Sequence, residues 1–173
     1  MTQVQIISLA QIMENNFFSD AIVVPVTPGN KIRLPGFNHL LQRQLHYLFE
    51  AEAAGKSNFQ HGQTIVVREI GEWFGFKNSI FIIDDLAYSI GGVIFLSLKM
   101  AEKSCFYSVD IPTIWDRNAC ESKMDTPTFI AEQIASGVRL FMHKTKPKYL
   151  TEINLVVPND FFGTILRSMF VNH

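Results

Sequence analysis

Residues 20–26, DAIVVPV, constrain this chain more than any other stretch: after one acid, six consecutive apolar residues show no alternation. A strand built from such a run has both of its faces covered. That requires a layer of helices above the sheet and another below it. Pro25 has no N–H to give to a ladder, so a bulge or an early strand end is expected there. Two later runs, NSIFII (78–83) and EINLVV (152–157), also read as strands, and stretches with helical spacing lie between the three.

The remaining elements follow from the same periodicities. QVQIIS (3–8) reads as a first strand, with Ser8 capping a short helix that carries Leu9, Ile12 and Met13. The Gly/Pro/Asn-rich loop TPGNKIRLPG (27–36) leads into a helix from about Asn38 to Ala54. Phe37, Leu41, Leu45 and Leu48 line one face of that helix, and Gly55 stands at its stop. QTIVVREI (63–70) and NSIFII leave no room for a crossover helix, so this pair is expected to run antiparallel. A helix to about Lys103 should follow Asp84-Asp85, with the two acids as cap and first-turn charge. Gly91-Gly92 would weaken it by about 1 kcal/mol per glycine. SCFYSVDIP (104–112) is the next strand, Thr126-Pro127 opens another helix, and Asp160 caps a terminal one. The order βαβαββαβαβα predicts a three-layer αβα fold of the α/β class, with a mixed, mostly parallel six-stranded sheet. Residues 1–173 are expected to form one domain.

Composition narrows the partners. The chain has 15 basic and 16 acidic residues and no dense basic run, which disfavours a nucleic-acid partner. Cys105 and Cys120 form no CxxC pair, and the amino-terminal residues lack the charge and apolar core of a signal peptide. No apolar run reaches the length of a membrane span, so a cytoplasmic protein without a membrane partner is expected. His39, His46, His61 and His143 give no HxxxH or HExxH spacing, and no metal site is expected. There is no GxxxxGK[ST], GxGxxG or GxSxG motif, and no cofactor is expected.

In sheets of this kind ligands sit beyond the carboxyl ends of the strands, where the strand order reverses. Five segments compete for that place: Ser8-Leu9, Thr27 to Phe37, Asp84-Asp85, Thr113 to Asn118, and Pro158 to Phe161. The fourth lies within SVDIPTIWDRNACE (108–121), where a strand opens into a loop with a tryptophan, an acid and a base in succession.

From about Gln3 to Met169 the chain resembles a divergent macrodomain, the ADP-ribose-binding α/β module. SDAIVVPVTPGN (19–30) is similar to the family's Asp-x-Ile-Val-Asn-Ala-Ala-Asn strand and loop. GQTIVVREIG (62–71) and KNSIFII (77–83) resemble its paired strands, SVDIPTIWDRN (108–118) its second phosphate loop, and INLVVPND (153–160) its last strand. The resemblance implies that Asp20, with Ala21 beside it, accepts a hydrogen bond from the adenine amino group. It implies that Thr27, Gly29, Asn30, Gly36 and Phe37 surround the distal ribose. Pro112, Thr113, Trp115, Asp116, Arg117 and Asn118 would hold the diphosphate, and Phe161 would stack on adenine. The sequence departs from the family where its catalytic-type Asn would fall, since Val24 to Thr27 read Val-Pro-Val-Thr. It departs again at residues 115–118, where no glycine supplies a phosphate nest.

The leading expectation is therefore ADP-ribose or a related nucleotide bound without the standard hydrolase residues. An alternative from another class is a degenerate scaffold working through protein–protein contacts, with Trp115 and EWFGF (72–76) as exposed anchors. A third is an enzyme on another nucleotide or phosphosugar, with Asp116 as base and Arg117 as phosphate clamp. An open cleft beside Asp20 would favour the first reading, and a cleft filled by Trp115, with Trp73 on the surface, the second.

Overall fold

The computed structural model describes residues 1–15, 19–56, 59–70, 76–119 and 126–171, with Asn15, Asn118 and Ala119 described by their backbone alone. The elements are β1 (Gln3–Ser8), α1 (Leu9–Asn15), β2 (Ser19–Val26), α2 (His39–Ala53), β3 (Thr64–Arg68) and β4 (Phe76–Ile83). There follow α3 (Ile90–Lys103), β5 (Ser108–Pro112), a single turn α4 (Asp116–Ala119), α5 (Pro127–Thr145), β6 (Glu152–Val157) and α6 (Asp160–Val171). The six strands form one sheet in the order β1-β6-β5-β2-β4-β3. All neighbours are parallel except β3 and β4, which run antiparallel as the short connection requires.

Helices α3, α5 and α6 pack together against one face of the sheet. On the other face, Phe49 of α2 meets Phe81 of β4 with ring centroids 5.4 Å apart. Ile12 of α1 joins Ile7, Leu9 and Val156 in a small cluster on that same face. The result is the three-layer αβα arrangement, and Ala21 to Val24 of β2, at its centre, are at most 1% exposed. Ser8 and Gln11 cap α1 reciprocally: the Gln11 N–H donates to Ser8 Oγ, and the Ser8 N–H donates to Gln11 Oε1. Gly91 and Gly137 let α3 and α5 touch backbone to backbone. A Cβ on Gly91 would stand 2.7 Å from the Gln133 carbonyl, and one on Gly137 2.4 Å from the Gly91 carbonyl. The glycine that weakens α3 locally is what allows its close packing on α5.

Two helix starts differ from expectation. α3 begins at Ile90, not after Asp84-Asp85, because Ser89 Oγ accepts the Gly92 N–H while the acids serve a preceding turn. α6 is capped by Asn159, whose Oδ1 accepts the Phe162 N–H, and Asp160 is its first residue. Pro25 acts on one side of β2 only. Pairing with β4 runs to Val26, whereas pairing with β5 is confined to Ala21 and Ile22. Without an N–H at Pro25 the second ladder does not continue, and β2 and β5 part toward their carboxyl ends.

A buried polar cluster crosses the α1–α2 face of the sheet. Ser19 Oγ donates to Asp110 Oδ1 at 2.5 Å, and Asn154 Nδ2 donates to Asp110 Oδ1 at 2.8 Å. Asp110 Oδ2 and Asn154 Oδ1 have no hydrogen-bond partner among the described residues. Burial pushes the Asp110 carboxyl up to about 6, against the opposing effect of the Ser19 and Asn154 hydrogen bonds.

Candidate functional site

The strand order reverses at β2 and β5: the chain leaves β2 toward β4 and β3 on one side, and β5 leads to β6 and β1 on the other. The carboxyl ends of β1, β2, β4, β5 and β6 all point the same way, so the five nominated segments do gather along one edge. The gap between β2 and β5 opens onto that edge, and it is the place where this architecture receives a ligand.

The segment after β5 fills that place. Thr113 is anchored sideways on β6, its N–H and Oγ1 both donating to the Val156 carbonyl at 3.0 and 2.7 Å. Trp115 then turns inward and is 0% exposed. Its indole N–H donates to Asp84 Oδ2 at 2.8 Å. Asp84 directly follows β4 and Trp115 follows β5, and these strands flank β2 on either side, so the indole lies across the end of β2. Arg117 closes the arrangement from outside. Its guanidinium is 3.0 Å from Asp84 Oδ1 and donates to the Tyr88 carbonyl at 2.6 Å. The Asp84 side chain is 0% exposed and that of Arg117 12%.

Asp116 faces the first loop. Thr27 Oγ1 donates to Asp116 Oδ2 at 3.0 Å, and Arg33 lies 4.0 Å from Asp116 Oδ1. Thr27 and Lys31 exchange backbone hydrogen bonds across the turn Pro28-Gly29-Asn30, in which Gly29 and Asn30 have positive φ. Further along, Gln42 of α2 accepts from the Leu34 N–H and donates to the Phe37 carbonyl, fixing residues 34–37. Gly36 has φ +82°, and a Cβ there would stand 2.6 Å from a Leu9 methyl, so the loop rests directly on the start of α1. Leu9, Pro35, Phe37, Ile114, Val156, Val157 and Pro158 line a dimple of about 10 Å³, room for one water. Phe161, in the first turn of α6 beyond the end of β6, is 69% exposed.

Thr27, Gly29, Asn30, Gly36, Phe37, Pro112, Thr113, Trp115, Asp116, Arg117 and Phe161 therefore lie along the carboxyl edge, and the backbone of Asn118 is in α4. Asp20 and Ala21 do not. They sit at the amino end of β2, a strand of eight residues, so the length of the strand separates them from the edge. The Asp20 carboxylate accepts the Tyr107 N–H at 2.7 Å and the Ser108 N–H at 3.3 Å, tying the start of β5 to β2. Its expected adenine contact is corrected by that placement. Trp115 as an exposed anchor is corrected by its burial. Phe76 of the 72–76 segment is 1% exposed, and residues 72–75 lie outside the described residues, as does Cys120. The third reading, Asp116 as base with Arg117 as phosphate clamp, meets an Asp116 bonded to Thr27 and an Arg117 committed to Asp84 and Tyr88.

Asp84 is the centre of the site, and sequence reasoning gave it the smaller role of a helix cap. The signal for more was its position, since it directly follows the strand next to β2. Asp85 pairs with His61 and accepts the Ala87 N–H at 3.2 Å. Among the described residues no group of three or more His, Cys, Asp or Glu could hold a metal ion, and no helix is long and apolar enough to cross a membrane.

No family model and no curated protein matches the chain in sequence. Solved structures do match it in shape. The Trypanosoma brucei macrodomain in complex with ADP superposes with a TM-score of 0.67 at 11% identity, over 97% of this chain and 69% of that one. An Oceanobacillus iheyensis macrodomain variant with ADPR gives 0.64 at 11% identity, over 98% and 92%. The macrodomain of Mycobacterium tuberculosis DarG gives 0.60 at 16% identity, over 92% and 100%. The chain has the macrodomain fold.

Proposed function

We propose that the protein binds ADP-ribose or a related nucleotide along the carboxyl edge of its sheet and does not hydrolyse it. The observation that carries this reading is the convergence of the first loop, the segment after β5 and the exposed Phe161 on the one edge where the strand order reverses. Phe161 offers an aromatic face to a base, and the 27–37 loop offers backbone and hydroxyl groups to a ribose. The likeness in fold to macrodomains solved with ADP and with ADPR supports the ligand class. The reading of no hydrolysis rests on a departure from the pattern of the family that the chain resembles. Val24, Pro25, Val26 and Thr27 stand where the resemblance places the family's catalytic-type Asn, and the Thr27 hydroxyl is bonded to Asp116.

Calorimetric titration with ADP-ribose tests the reading, with Phe161→Ala and Asp20→Ala alongside. Binding that Phe161→Ala weakens by about tenfold and Asp20→Ala leaves unchanged is the expected result, a tenfold loss being within the range of one aromatic–base stack. No heat from folded protein at millimolar ligand sinks it. One observation favours a second reading, a scaffold with a closed crevice: Trp115 is fully buried over the end of β2. A flat titration would leave that reading in place.

A further inference from the structure

The groups around Trp115 are joined in an unusual way for a loop that only turns the chain. Three separate elements meet there: the end of β4 through Asp84, the turn before α3 through the Tyr88 carbonyl, and the start of α4 through Arg117. Arg117 bonds to the other two elements at once, with its side chain 12% exposed against 0% for Asp84. Asp116, beside it, holds the same segment to the loop after β2 through Thr27. Pro25 has already parted β2 from β5, so the indole occupies a gap that the sheet itself left open.

From this geometry we infer that residues 115–117 form a self-occluding latch. Trp115 takes up the space at the switch point, and the Asp84–Arg117 pair holds it there. The inference rests on the nucleotide reading above, because occlusion has meaning only if that crevice receives a ligand. A nucleotide entering between β2 and β5 must displace the indole. That motion breaks the Trp115–Asp84 bond and exposes a carboxylate that Arg117 alone then neutralises. The free energy of opening is drawn from ligand binding, so the closed protein binds more weakly than an opened one.

The test uses the full chain with Trp73→Phe, which leaves Trp115 as the remaining tryptophan of the two. Asp84→Asn combined with Arg117→Gln removes the ion pair without leaving either charge buried alone. Arg117→Lys keeps the charge but loses the forked contact with Asp84 and Tyr88, and serves if the double variant fails to fold. Acrylamide quenching of Trp115 reads the latch without any ligand, and titration with ADP-ribose reads occlusion. The expected result is a red-shifted, more readily quenched Trp115 in the unlatched variants, together with ADP-ribose affinity at least tenfold above that of the Trp73→Phe parent. Unchanged quenching in folded variants overturns the latch. Equal ADP-ribose affinity in parent and unlatched forms overturns occlusion and leaves the nucleotide reading standing. An exposed Trp115 with no ADP-ribose binding in any form overturns both.

Discussion

The two ends of the central strand solve the same problem differently. At the amino end of β2, Asp20 is held by the N–H groups of Tyr107 and Ser108, and Ser19 bonds to the buried Asp110. These acids are met by backbone, hydroxyl and side-chain amide donors, with no basic side chain involved among the described residues. At the carboxyl end, Asp84 is met by an indole N–H and a guanidinium besides the Leu86 N–H of its own turn, and Asp116 by Thr27 with Arg33 nearby. The first arrangement knits adjacent strands and has nothing to release. The second joins three loops through long side chains, where the pairing of β2 with β5 has ended. An acid fixed by backbone amides is structural, whereas one fixed by a removable arginine can change partners.

That contrast is broken most severely at Arg117. Arg117→Ala would leave the Asp84 carboxylate buried without its counter-charge, and removing one partner of a buried pair costs about 3–5 kcal/mol. Urea denaturation should show a midpoint shift of that size with an unchanged slope. A loss below about 1 kcal/mol would mean that water reaches Asp84 and that the carboxyl end is no more closed than a surface loop.

Asp110 gives the next largest effect, with a sign opposite to that of a salt-bridged acid. Its carboxyl is raised from 3.8 to about 6, so the folded state binds the proton more tightly than the unfolded state. The associated stability is complete below about pH 4 and is lost as pH rises through about 6. At about 1.4 kcal/mol per unit this amounts to about 3 kcal/mol. Asp110→Asn should abolish that slope and raise stability at pH 7–8, because the new amide keeps the acceptor for Ser19 and Asn154. It also supplies a donor beside the unpartnered Asn154 Oδ1. Thermal melts between pH 4 and 8 check it, and a variant that keeps the wild-type slope would remove Asp110 as its source.

The sequence made the architecture legible and left the side-chain partnerships hidden. A continuous apolar run needs two covering layers, and the short gap between residues 70 and 78 forces an antiparallel pair, so element order and sheet type followed from local pattern. The carboxyl-edge segments followed from topology alone. What pattern could not supply was the use of each acid. Asp20 precedes an apolar strand in the chain, but its partners Tyr107 and Ser108 lie far along the sequence. Trp115 looks exposed beside Asp116 and Arg117, and only the gap left by Pro25 together with Asp84 gives its indole a place to be buried. Asp84 reads as a helix cap because Ser89, five residues later, is an equally good one. Partnerships between residues distant in sequence leave no periodic trace.

Asp20→Ala sharpens the comparison with a smaller change. It removes a charged acceptor from two backbone N–H groups at the start of β5, and about 2 kcal/mol of stability should go with it. ADP-ribose affinity should stay constant, since the residue is a strand's length from the carboxyl edge. Denaturation and titration on the same sample separate the two readouts. A fall in affinity with stability preserved would return Asp20 to the site and contradict the division of the molecule into a knitted end and an opening one.

Phe161 is the mirror image of Asp20, and its substitution should have the smallest effect on the fold. With 69% of its surface exposed it contributes little to the core, and Phe161→Ala should move stability by less than about 0.5 kcal/mol. Its neighbour Phe162 is 4% exposed and belongs to the core cluster, so the two adjacent aromatics have divided the work between them. Phe162→Ala in parallel should cost about 3–5 kcal/mol as a cavity and serves as the control for a structural aromatic. If Phe161→Ala destabilises the protein to a similar degree, its ring is part of the packing at the end of β6 and the base-stacking role falls. If it leaves stability intact and weakens ADP-ribose, the carboxyl edge holds a side chain kept exposed for a ligand, while the amino end holds only side chains kept for the fold.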